Sequence, residues 1–421
     1  MSDVMDINIT EVIENVLDRS KWVKWKFSDL VENFVEKVVP KDSGLDHYIG
    51  LKHLDTGSLK IRRFGETESL IGDKLKIYKG DLIFAKRNSY LKRVAIAEFD
   101  AVASAHALVL RPNSENVNPD FLPFFMMSEK FWQRAIEISV GSLSPTINWK
   151  VLAKQEFLLP PKDQQAQLSK LLWAMDEVIE KERELHNRAH STYLSMRSNL
   201  MIGKEIIDFE TKENYKKVKK FGQIPVNWEV KKLSELCVKI QDGNYGESYP
   251  KKDELLKDGV PFITSTIISG DNFDDTKLKY ISEEKHLILK KAHVKSEDIL
   301  LTNRGANVGR CAITPERMDD ANIGPQVTLI RCDSDNLNNQ YLYHFIRSNY
   351  VQKQIEIANA GSAMNFMSLT ATGAFSIVCP SLETQKLISN RLNLIYSKLE
   401  SIELKIKGSQ SLQKSLINQI F

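Results

Sequence analysis

One stretch of this 421-residue chain is written twice, and this repetition constrains the fold more than any other feature. Residues 157–165 read FLLPPKDQQ, and residues 377–385 read IVCPSLETQ. In each copy a short apolar run meets a proline, and a long helical pattern follows. Pro160 and Pro380 are 220 positions apart, as are the last glutamines of the two stretches. A shared distance of this kind indicates duplication of one folding unit.

The number of positions between corresponding residues of the two copies increases along the chain. This increase shows where the second copy has insertions. Trp22 corresponds to Trp228 at 206 positions, whereas Phe121 corresponds to Tyr341 at 220. The second copy therefore carries additional loop residues, which lie mostly between 241 and 280. Because loops carry function more often than the scaffold does, these loops are expected to differ in what they bind.

Short apolar runs within each copy are separated by Asp, Gly, Asn and Pro, which favour turns, so the runs predict β-strands. One helix should follow the strands in each copy, near Pro119–Ile138 and Asn339–Ala358. Each copy is thus predicted to be a mixed α+β domain with mostly antiparallel strands. The predicted strands are Leu82–Ala85, Val94–Ala97, Ala107–Leu110, Phe157–Leu159, Pro261–Thr264, Ile299–Thr302, Cys311–Ile313, Val327–Arg331 and Phe375–Cys379.

A long helix is predicted to follow each domain. No proline interrupts residues 163–203, and apolar residues recur there roughly every 3.5 positions, as in a coiled coil. The second stripe, from Ile388 to Ile406, is more regular, and Asp163 and Ser381 are candidate N-caps. A helix of this length spans roughly 60 Å, and its stripe has to be buried. The simplest arrangement is an antiparallel pair of long helices with one domain at each end.

The pattern also predicts where the domains begin and end. Residues 4–18 have helical apolar spacing, and residues 204–225 are rich in lysine. The predicted divisions are an N-terminal helix at 1–20, a first domain at 21–160, a first long helix at 161–205, a linker at 206–225, a second domain at 226–380 and a second long helix at 381–421.

Composition excludes several classes of protein. With 42% hydrophobic and 27% charged residues, the chain resembles an ordinary globular protein, and no apolar run is long enough for a membrane span. The four cysteines are scattered without a Cys-x-x-Cys pair, which argues against a disulfide framework or a zinc site and suits the cytoplasm. No phosphate-binding loop or catalytic constellation is recognisable, so no catalytic or metal-binding residue is predicted. His186 and His190 lie four apart on a helix, but no third ligand stands beside them.

Basic residues cluster locally although the whole chain carries a net charge of only +3. Residues 52–93 hold eleven Lys or Arg and five Asp or Glu, and the loop 86–93 (KRNSYLKR) corresponds to 303–310 (NRGANVGR). Arg and Asn side chains reach base edges and phosphates, so these loops are candidates for DNA binding, and loop 241–252 is a weaker one. A merely solubilising hairpin is the alternative. The candidate DNA-binding residues are Arg62, Arg63, Lys86, Arg87, Asn88, Tyr90, Lys92, Arg93, Asn244, Tyr245, Asn303, Arg304, Asn307 and Arg310.

The chain resembles the DNA-specificity subunits of Type I restriction–modification systems. The resemblance is carried by GQIPVNWEVKKL at 222–233 and by the two starts of the long helices, and the two-copy layout extends it over nearly the whole chain. The first copy lacks the Gly-x-Ile-Pro portion and keeps only the part from Trp22 to Leu30. The second helix start has Ser381 where the family usually repeats proline.

The resemblance implies a function and a set of partners. Each domain would be a target-recognition domain that reads one half of a bipartite double-stranded DNA site, and the helices would set the gap between the halves. The helices would also dock two methyltransferase subunits, and restriction subunits would join them. S-adenosylmethionine, Mg²⁺ and ATP would then belong to those partners, and this chain would be a non-enzyme without a cofactor. The candidate docking residues are Leu171, Met175, Leu185, Leu392, Leu399 and Ile406.

Two other functions are compatible with the sequence. The chain could be a DNA-independent scaffold whose helices pair protein subunits and whose end domains bind other proteins. A self-sufficient methyltransferase is less well supported, because no S-adenosylmethionine motif is present. Salt-dependent binding of duplex DNA distinguishes the first hypothesis from the scaffold.

Overall fold

A computed structural model describes residues 19–204, 215–269, 272–359 and 365–421. The chain divides into two compact units. Unit 1 comprises the chain up to Leu185 together with Ile402–Phe421, and unit 2 comprises His186–Ser401. The N-terminal helix predicted at 1–20 lies almost entirely outside the described residues.

Unit 1 is built from eleven described strands and four short α-helices, followed by a long helix. Its strands are β1 (Val23–Lys26), β2 (Val31–Phe34), β3 (Lys37–Val38), β4 (His47–Ile49), β5 (Gly65–Glu66), β6 (Lys74–Ile77), β7 (Leu82–Ala85), β8 (Val94–Ile96), β9 (Ala101–Ala103), β10 (Ala107–Pro112) and β11 (Glu156–Leu159). Its helices are α1 (Phe27–Leu30), α2 (Leu122–Met127), α3 (Glu129–Glu137), α4 (Trp149–Leu152) and the long α5 (Lys162–Leu200), which continues into unit 2.

Three sheets organise unit 1. β1 pairs with β11, a four-stranded sheet has the order β2-β10-β7-β8, and a five-stranded sheet has the order β3-β6-β9-β4-β5. All pairs in these sheets are antiparallel except β4 with β9. An aromatic core that includes Phe84, Phe131 and Trp132 fills the space between the four-stranded sheet and the helices. The prediction of a mixed domain with mostly antiparallel strands is correct for this unit.

Unit 2 repeats this plan with different peripheral strands. Its strands are β12 (Tyr215–Val218), β13 (Gly222–Pro225), β14 (Glu229–Lys232), β15 (Cys237–Asp242), β16 (Val260–Ile263), β17 (Ile268–Ser269), β18 (Asn272–Phe273), β19 (Lys279–Ile281), β20 (Ile299–Thr302), β21 (Cys311–Ile313), β22 (Asn322–Ile323), β23 (Val327–Cys332) and β24 (Ser376–Cys379). Its helices are α6 (Glu283–Ile288), α7 (Asn339–Ile346), α8 (Asn349–Asn359), α9 (Leu369–Gly373) and the long α10 (Leu382–Ile420), which continues into unit 1.

The sheets of unit 2 confirm the duplication. β14 pairs with β24 as β1 does with β11, and the order β15-β23-β20-β21 reproduces β2-β10-β7-β8. All nine strands predicted from the sequence are present, with ends that differ by at most two residues. The copies diverge in the third layer, where unit 2 has the sheet β19-β16-β22 and the hairpin β17-β18.

Two details of the prediction are wrong. Each single helix predicted after the strands is broken, because a buried serine starts a new helix. Ser128 Oγ donates to Phe125 O (2.7 Å) and accepts from Phe131 N (3.2 Å), and Ser348 Oγ donates to Phe345 O (2.6 Å).

The predicted linker 206–225 is folded over its second half. β12 and β13 form an antiparallel hairpin, and the side chains of Phe221 and Ile224 are buried in the core of unit 2. The segment was predicted to be a linker because it is rich in lysine. A surface strand can carry many lysines and still fold, because only every second side chain faces the core.

The long helices contribute to both cores and run antiparallel, as predicted. In unit 1 the beginning of α5 packs with the end of α10, where Leu172 and Ile417 share one core. In unit 2 the end of α5 packs with the beginning of α10, where the rings of Tyr193 and Tyr396 lie 5.8 Å apart. Ser381 is an N-cap, whereas Asp163 lies inside the first turn of α5. No helix among the described residues combines the length and apolar character needed to cross a membrane.

A glutamine in the first turn of each long helix connects the helix to the adjacent domain by hydrogen bonds. Replacing this glutamine should lower the free energy of unfolding. Gln165 Nε2 donates to Pro160 O (2.8 Å) while Oε1 accepts from Asn118 N (2.8 Å). Gln385 repeats this contact with Pro380 O (2.9 Å) and Asn338 N (2.8 Å). Both glutamines are buried.

We therefore expect Gln165→Leu and Gln385→Leu each to lower the free energy of unfolding by about 2–4 kcal/mol, because two buried backbone groups lose their partners. Urea denaturation measures this change. The exposed Gln167→Leu on the same helix is the control and should stay within about 0.5 kcal/mol of wild type. Equal midpoints for all three variants would contradict the assigned role.

A buried histidine makes unit 2 sensitive to acid. His344 Nε2 donates to Asn393 Oδ1 (2.7 Å), and His344 Nδ1 accepts from the hydroxyl of Tyr193 (3.0 Å). Asn393 Nδ2 donates to Gln340, which fixes the orientation of the amide and therefore the neutral tautomer of the imidazole. Burial lowers the pKa of His344 from 6.5 to about 4.

Between pH 6.5 and pH 4 the unfolded chain binds a proton that folded unit 2 does not bind, so stability should fall as the pH decreases through this window. The loss reaches about 3 kcal/mol at the acid end. Thermal unfolding at several pH values measures it. The variant His344→Gln should flatten this slope, and His190→Gln, which changes an exposed histidine, should retain it. An unchanged slope in His344→Gln would assign the acid sensitivity to other groups.

Candidate nucleic-acid interface

The basic loop of unit 1 connects β7 to β8 and has an unusual backbone. Asn88 (φ 55°) and Lys92 (φ 47°) both adopt the left-handed conformation, and a single 3₁₀ turn at Ser89–Leu91 lies between them. Asn tolerates this conformation better than most residues do, but a lysine adopts it rarely. The two left-handed residues fold the loop back on itself, so its side chains are presented from a compact turn.

A second segment supports this loop from the side. Ile147 N donates to Lys86 O (2.8 Å), and Ser89 N donates to Pro145 O (3.3 Å). The hydroxyl of Ser144 accepts from Arg87 Nε (2.7 Å) and donates to Asn88 Oδ1 (2.7 Å). The guanidinium of Arg87 is therefore held at its Nε while the residue as a whole remains exposed.

Positive charge converges beside Arg87. The pKa of His106 is lowered by burial first and then by the positive charges of Arg87, Lys86 and Lys74. Burial also lowers the pKa of Lys86. Such a local excess of positive charge attracts an anion, and a phosphate of nucleic acid is one such anion.

Sequence reasoning missed His106 and Lys74 as members of this cluster. The β10–β7 pairing aligns Ala107 with Ala85, which brings His106 next to the loop that begins at Lys86. The register of paired strands is fixed only in the folded sheet. The one sign in the sequence that His106 belongs to the site is its position just before a predicted strand.

The other basic residues predicted in unit 1 do not join this cluster. Arg62 and Arg63 form ion pairs with Asp55, and Arg62 also pairs with Glu180. Lys92 pairs with Glu129. These three side chains are thus engaged by carboxylates of the same unit.

Arg93 and Tyr90 differ from each other in exposure. Arg93 Nη1 donates to the backbone carbonyl of Leu51, and burial lowers the pKa of its guanidinium. Tyr90 is 56% exposed and remains accessible for stacking. Among the candidates of this loop, Arg87 and Tyr90 are exposed, whereas Lys86 and Asn88 are half-buried.

The corresponding loop of unit 2, between β20 and β21, has the same support. Met367 N donates to Asn303 O (2.9 Å), which repeats the contact between Ile147 and Lys86. Arg304 and Arg310 are exposed, and the guanidinium of Arg304 lies 4.7 Å from the ring centre of Phe366.

Asn303 is a wrong prediction for DNA contact. Its side chain is fully buried, and Asn303 Nδ2 donates to Thr328 Oγ1 (2.9 Å). Asn307 is half-buried, and its backbone carbonyl accepts from Arg310 N (3.1 Å). The sequence could not distinguish an asparagine that belongs to the core of a strand end from one at the tip of a loop.

A tyrosine from the extended loop of unit 2 lies close to Arg304. The hydroxyl of Tyr245 donates to Asp242 Oδ2 (2.6 Å), and burial together with this carboxylate raises the pKa of Tyr245 to about 12. Burial raises the pKa of Asp242, and the charges of Lys291 and Arg304 oppose that rise. The charge of Arg304 thus acts on both Tyr245 and Asp242.

Close packing and a backbone contact hold this loop in place. A side chain at Gly243 would meet the carbonyl oxygen of Ile323 at 1.9 Å, so only glycine fits there. Asn244 Oδ1 accepts from Lys291 N (3.2 Å). Lys291 was absent from the prediction because it lies far from this loop in the sequence.

The predicted docking residues of the long helices are mostly internal. Leu171, Leu392, Leu399 and Ile406 are buried in the cores, so the prediction that they face a partner is wrong. Met175 is half-buried against the core of unit 1, whereas Leu185 is 55% exposed. The regular apolar stripe on each long helix therefore packs inside the chain and does not form a surface for partners.

Different apolar residues of the long helices are exposed. On α5 these are Val178, Leu185 and Leu194, and on α10 they are Leu387, Leu394, Leu404 and Leu412. Val178 and Leu185 are separated by seven positions, as are Leu387 and Leu394, and this spacing places each pair on one helix face.

Comparison with known proteins agrees with these features. The family model for the Type I restriction modification DNA specificity domain matches residues 20–189 and 225–408, once for each copy. The specificity subunit named for the type I restriction enzyme MjaX of Methanocaldococcus jannaschii is 27% identical over 87% of this chain and 83% of its own length. The MjaVIII specificity subunit of the same organism is 26% identical over 65% of this chain and 62% of its own.

A solved structure has the same fold. The S subunit of a Type I restriction–modification system from M. genitalium covers 95% of this chain and 96% of its own, with a TM-score of 0.58 and 16% identity. The family domain matches the chain twice, and the two units have the same sheet order, so sequence and structure agree on the duplication. The chain belongs to the Type I restriction–modification DNA specificity family, whose members recognise DNA and leave catalysis to partner subunits.

Proposed function

We propose that each unit reads one half of a bipartite double-stranded DNA target. The observation that carries this proposal is the pair of exposed arginines, Arg87 and Arg304, at equivalent positions of equivalent loops. Each loop is held from the side by the same backbone hydrogen bond. The equivalent supports present an arginine in both units, while the surrounding side chains differ and so would select different half-sites.

The proposed chemistry differs between the two loops. In unit 1 the charges of Lys74, Lys86 and Arg87 favour a phosphate beside His106. In unit 2, Arg304 is oriented by Phe366 and lies near Tyr245, a combination suited to hydrogen bonding and stacking on bases. Because both units belong to one chain, binding of one half-site makes binding of the second intramolecular.

The long helices would set the gap between the half-sites and dock the partners. We place two methyltransferase subunits on the helices and allow restriction subunits to join them, in the cytoplasm. S-adenosylmethionine, Mg²⁺ and ATP would be bound by those partners. The exposed leucines of α10 and the exposed pair Val178 and Leu185 on α5 replace the buried stripe as the proposed docking residues.

Removing either arginine should weaken binding of one half-site. We expect Arg87→Gln and Arg304→Gln each to reduce affinity for the full target roughly tenfold or more, since one charged contact is lost from a single half-site. The target is first identified by mapping methylated sites in the source genome, which should reveal a split motif with a fixed gap. Affinity is then measured against salt concentration with half-sites mutated in turn.

The matched control is Arg188→Gln, which removes the same charge from the exposed part of α5. It should bind the target like wild type. If Arg87→Gln and Arg304→Gln both bind as tightly as this control, with the same salt dependence, the loops are not the reading surface. If wild type shows no salt-dependent binding of duplex DNA, the scaffold hypothesis is favoured instead.

Docking should depend on the exposed apolar residues and not on the loops. We expect Leu387→Glu with Leu394→Glu to abolish copurification of the methyltransferase subunit, because the two charges fall on one exposed helix face. Size-exclusion chromatography with the partner measures this. Arg87→Gln should still assemble, and retention of the partner by the double leucine variant would exclude this face.

A further inference from the structure

Unit 2 contains a cluster of two histidines and one aspartate that the reading of DNA does not use. His286 lies on α6, His293 lies in the following segment, and Asp320 lies in the turn before β22. One potential ligand atom from each residue lies within 4.8 Å of the other two. His286 Nε2 is 3.3 Å from the Asp320 carboxylate, and His293 Nδ1 is 3.2 Å from it.

One backbone carbonyl determines which nitrogen of each imidazole carries its proton. Leu289 O accepts from His293 Nε2 (2.6 Å) and from Asn322 Nδ2 (3.3 Å). A carbonyl oxygen only accepts, so His293 Nε2 is protonated and Asn322 presents its amide nitrogen to Leu289. Asn322 Oδ1 must then face His286 Nδ1, at 2.7 Å, and His286 Nδ1 is the protonated nitrogen of that ring.

When both imidazoles are neutral, the remaining nitrogens carry lone pairs. In the neutral imidazoles, His286 Nε2 and His293 Nδ1 point acceptors at a carboxylate, which also only accepts. Three acceptors at hydrogen-bond distance repel one another unless a proton or a metal cation lies among them. Histidines that bind metals in proteins characteristically donate their other N–H to a carbonyl or carboxylate group, and both histidines do so here.

The distances suit a small divalent ion. With metal–nitrogen bonds of about 2.0–2.1 Å, neighbouring ligand atoms of a tetrahedral site lie roughly 3.3 Å apart. The distances from His286 Nε2 to Asp320 Oδ2 (3.3 Å) and from His293 Nδ1 to Asp320 Oδ1 (3.2 Å) are close to this value, with one carboxylate oxygen facing each imidazole. Two imidazoles and one carboxylate suit Zn²⁺ among the common metals, and they disfavour Mg²⁺ and Ca²⁺, which prefer oxygen ligands.

Burial indicates where the site opens. The side chain of His286 is almost fully buried, that of His293 is 32% exposed and that of Asp320 is 69% exposed. Asn322, which orients His286, is buried. The inner side of the cluster is thus rigid, and the outer side leaves room for a fourth ligand from solvent.

We propose that His286 Nε2, His293 Nδ1 and the Asp320 carboxylate bind one Zn²⁺ ion, with water as the fourth ligand. The ion joins α6, the segment at 293 and the turn at 320, and so stabilises the third layer of unit 2, where the two copies differ. Asp320 adopts the left-handed conformation (φ 55°), and a bond from its carboxylate to the ion would hold this turn. The proposal does not depend on which DNA the loops read.

The full-length chain, freed of metal with a chelator, is titrated with Zn²⁺ against a chromophoric chelator at neutral pH. We expect one ion per chain, and we expect His293→Gln and Asp320→Asn each to weaken binding at least tenfold. Both variants change partly exposed side chains, and circular dichroism confirms that they fold. Cobalt(II) in place of zinc should give the intense visible absorption of a tetrahedral site, and Asp320→Asn should remove it.

The matched control is the double variant His186→Gln with His190→Gln, which removes the other close pair of histidines, on α5. It should bind Zn²⁺ as wild type does, and Zn²⁺ should raise the melting temperature of both. The proposal is overturned if this control loses the ion while His293→Gln keeps it. It is equally overturned if no variant differs from wild type, or if wild type binds no stoichiometric ion and only protons occupy the cluster.

Discussion

Burial of the apolar stripes on α5 and α10 is the constraint on which the rest of the structure depends. An apolar stripe 39 residues long is unfavourable in water, and each helix contributes one part of its length to each core. In unit 1 the stripe meets aromatic residues such as Phe124 and Phe125, and in unit 2 it meets Tyr341 and Phe345. Each unit is therefore complete only when segments distant in the sequence come together.

Repeated polar contacts connect segments that are distant in the sequence within each unit. Asp81 is buried and accepts from Arg111 Nε (2.7 Å), and Asp298 is buried and accepts from Arg331 Nε (2.8 Å). The glutamines at the helix starts are a second repeated contact of this type. Burying a polar group without a hydrogen-bond partner destabilises the folded state. These contacts therefore favour one specific packing of the segments over other compact packings.

A conserved frame leaves the loops free to differ between the copies. The supports of the loops after β7 and β20 are equivalent, yet one loop places Arg87 beside His106 and the other places Arg304 beside Tyr245 and Phe366. The third layer differs more, and the cluster of His286, His293 and Asp320 lies in it. A bound ion there would stabilise this layer.

The sequence by itself determined the duplication, the family, most central strands and the existence of two long helices. These features depend on local patterns, namely the 220-residue distance, the turn residues and the apolar periodicity. Only the tertiary structure decided which side chains are available. Asn303 and Leu392 are buried, Arg62 and Lys92 are paired with carboxylates, and His106 joins a loop that lies far from it in sequence. Burial, ion pairing and strand register arise from contacts between distant segments, and a single sequence read along its length does not contain those contacts.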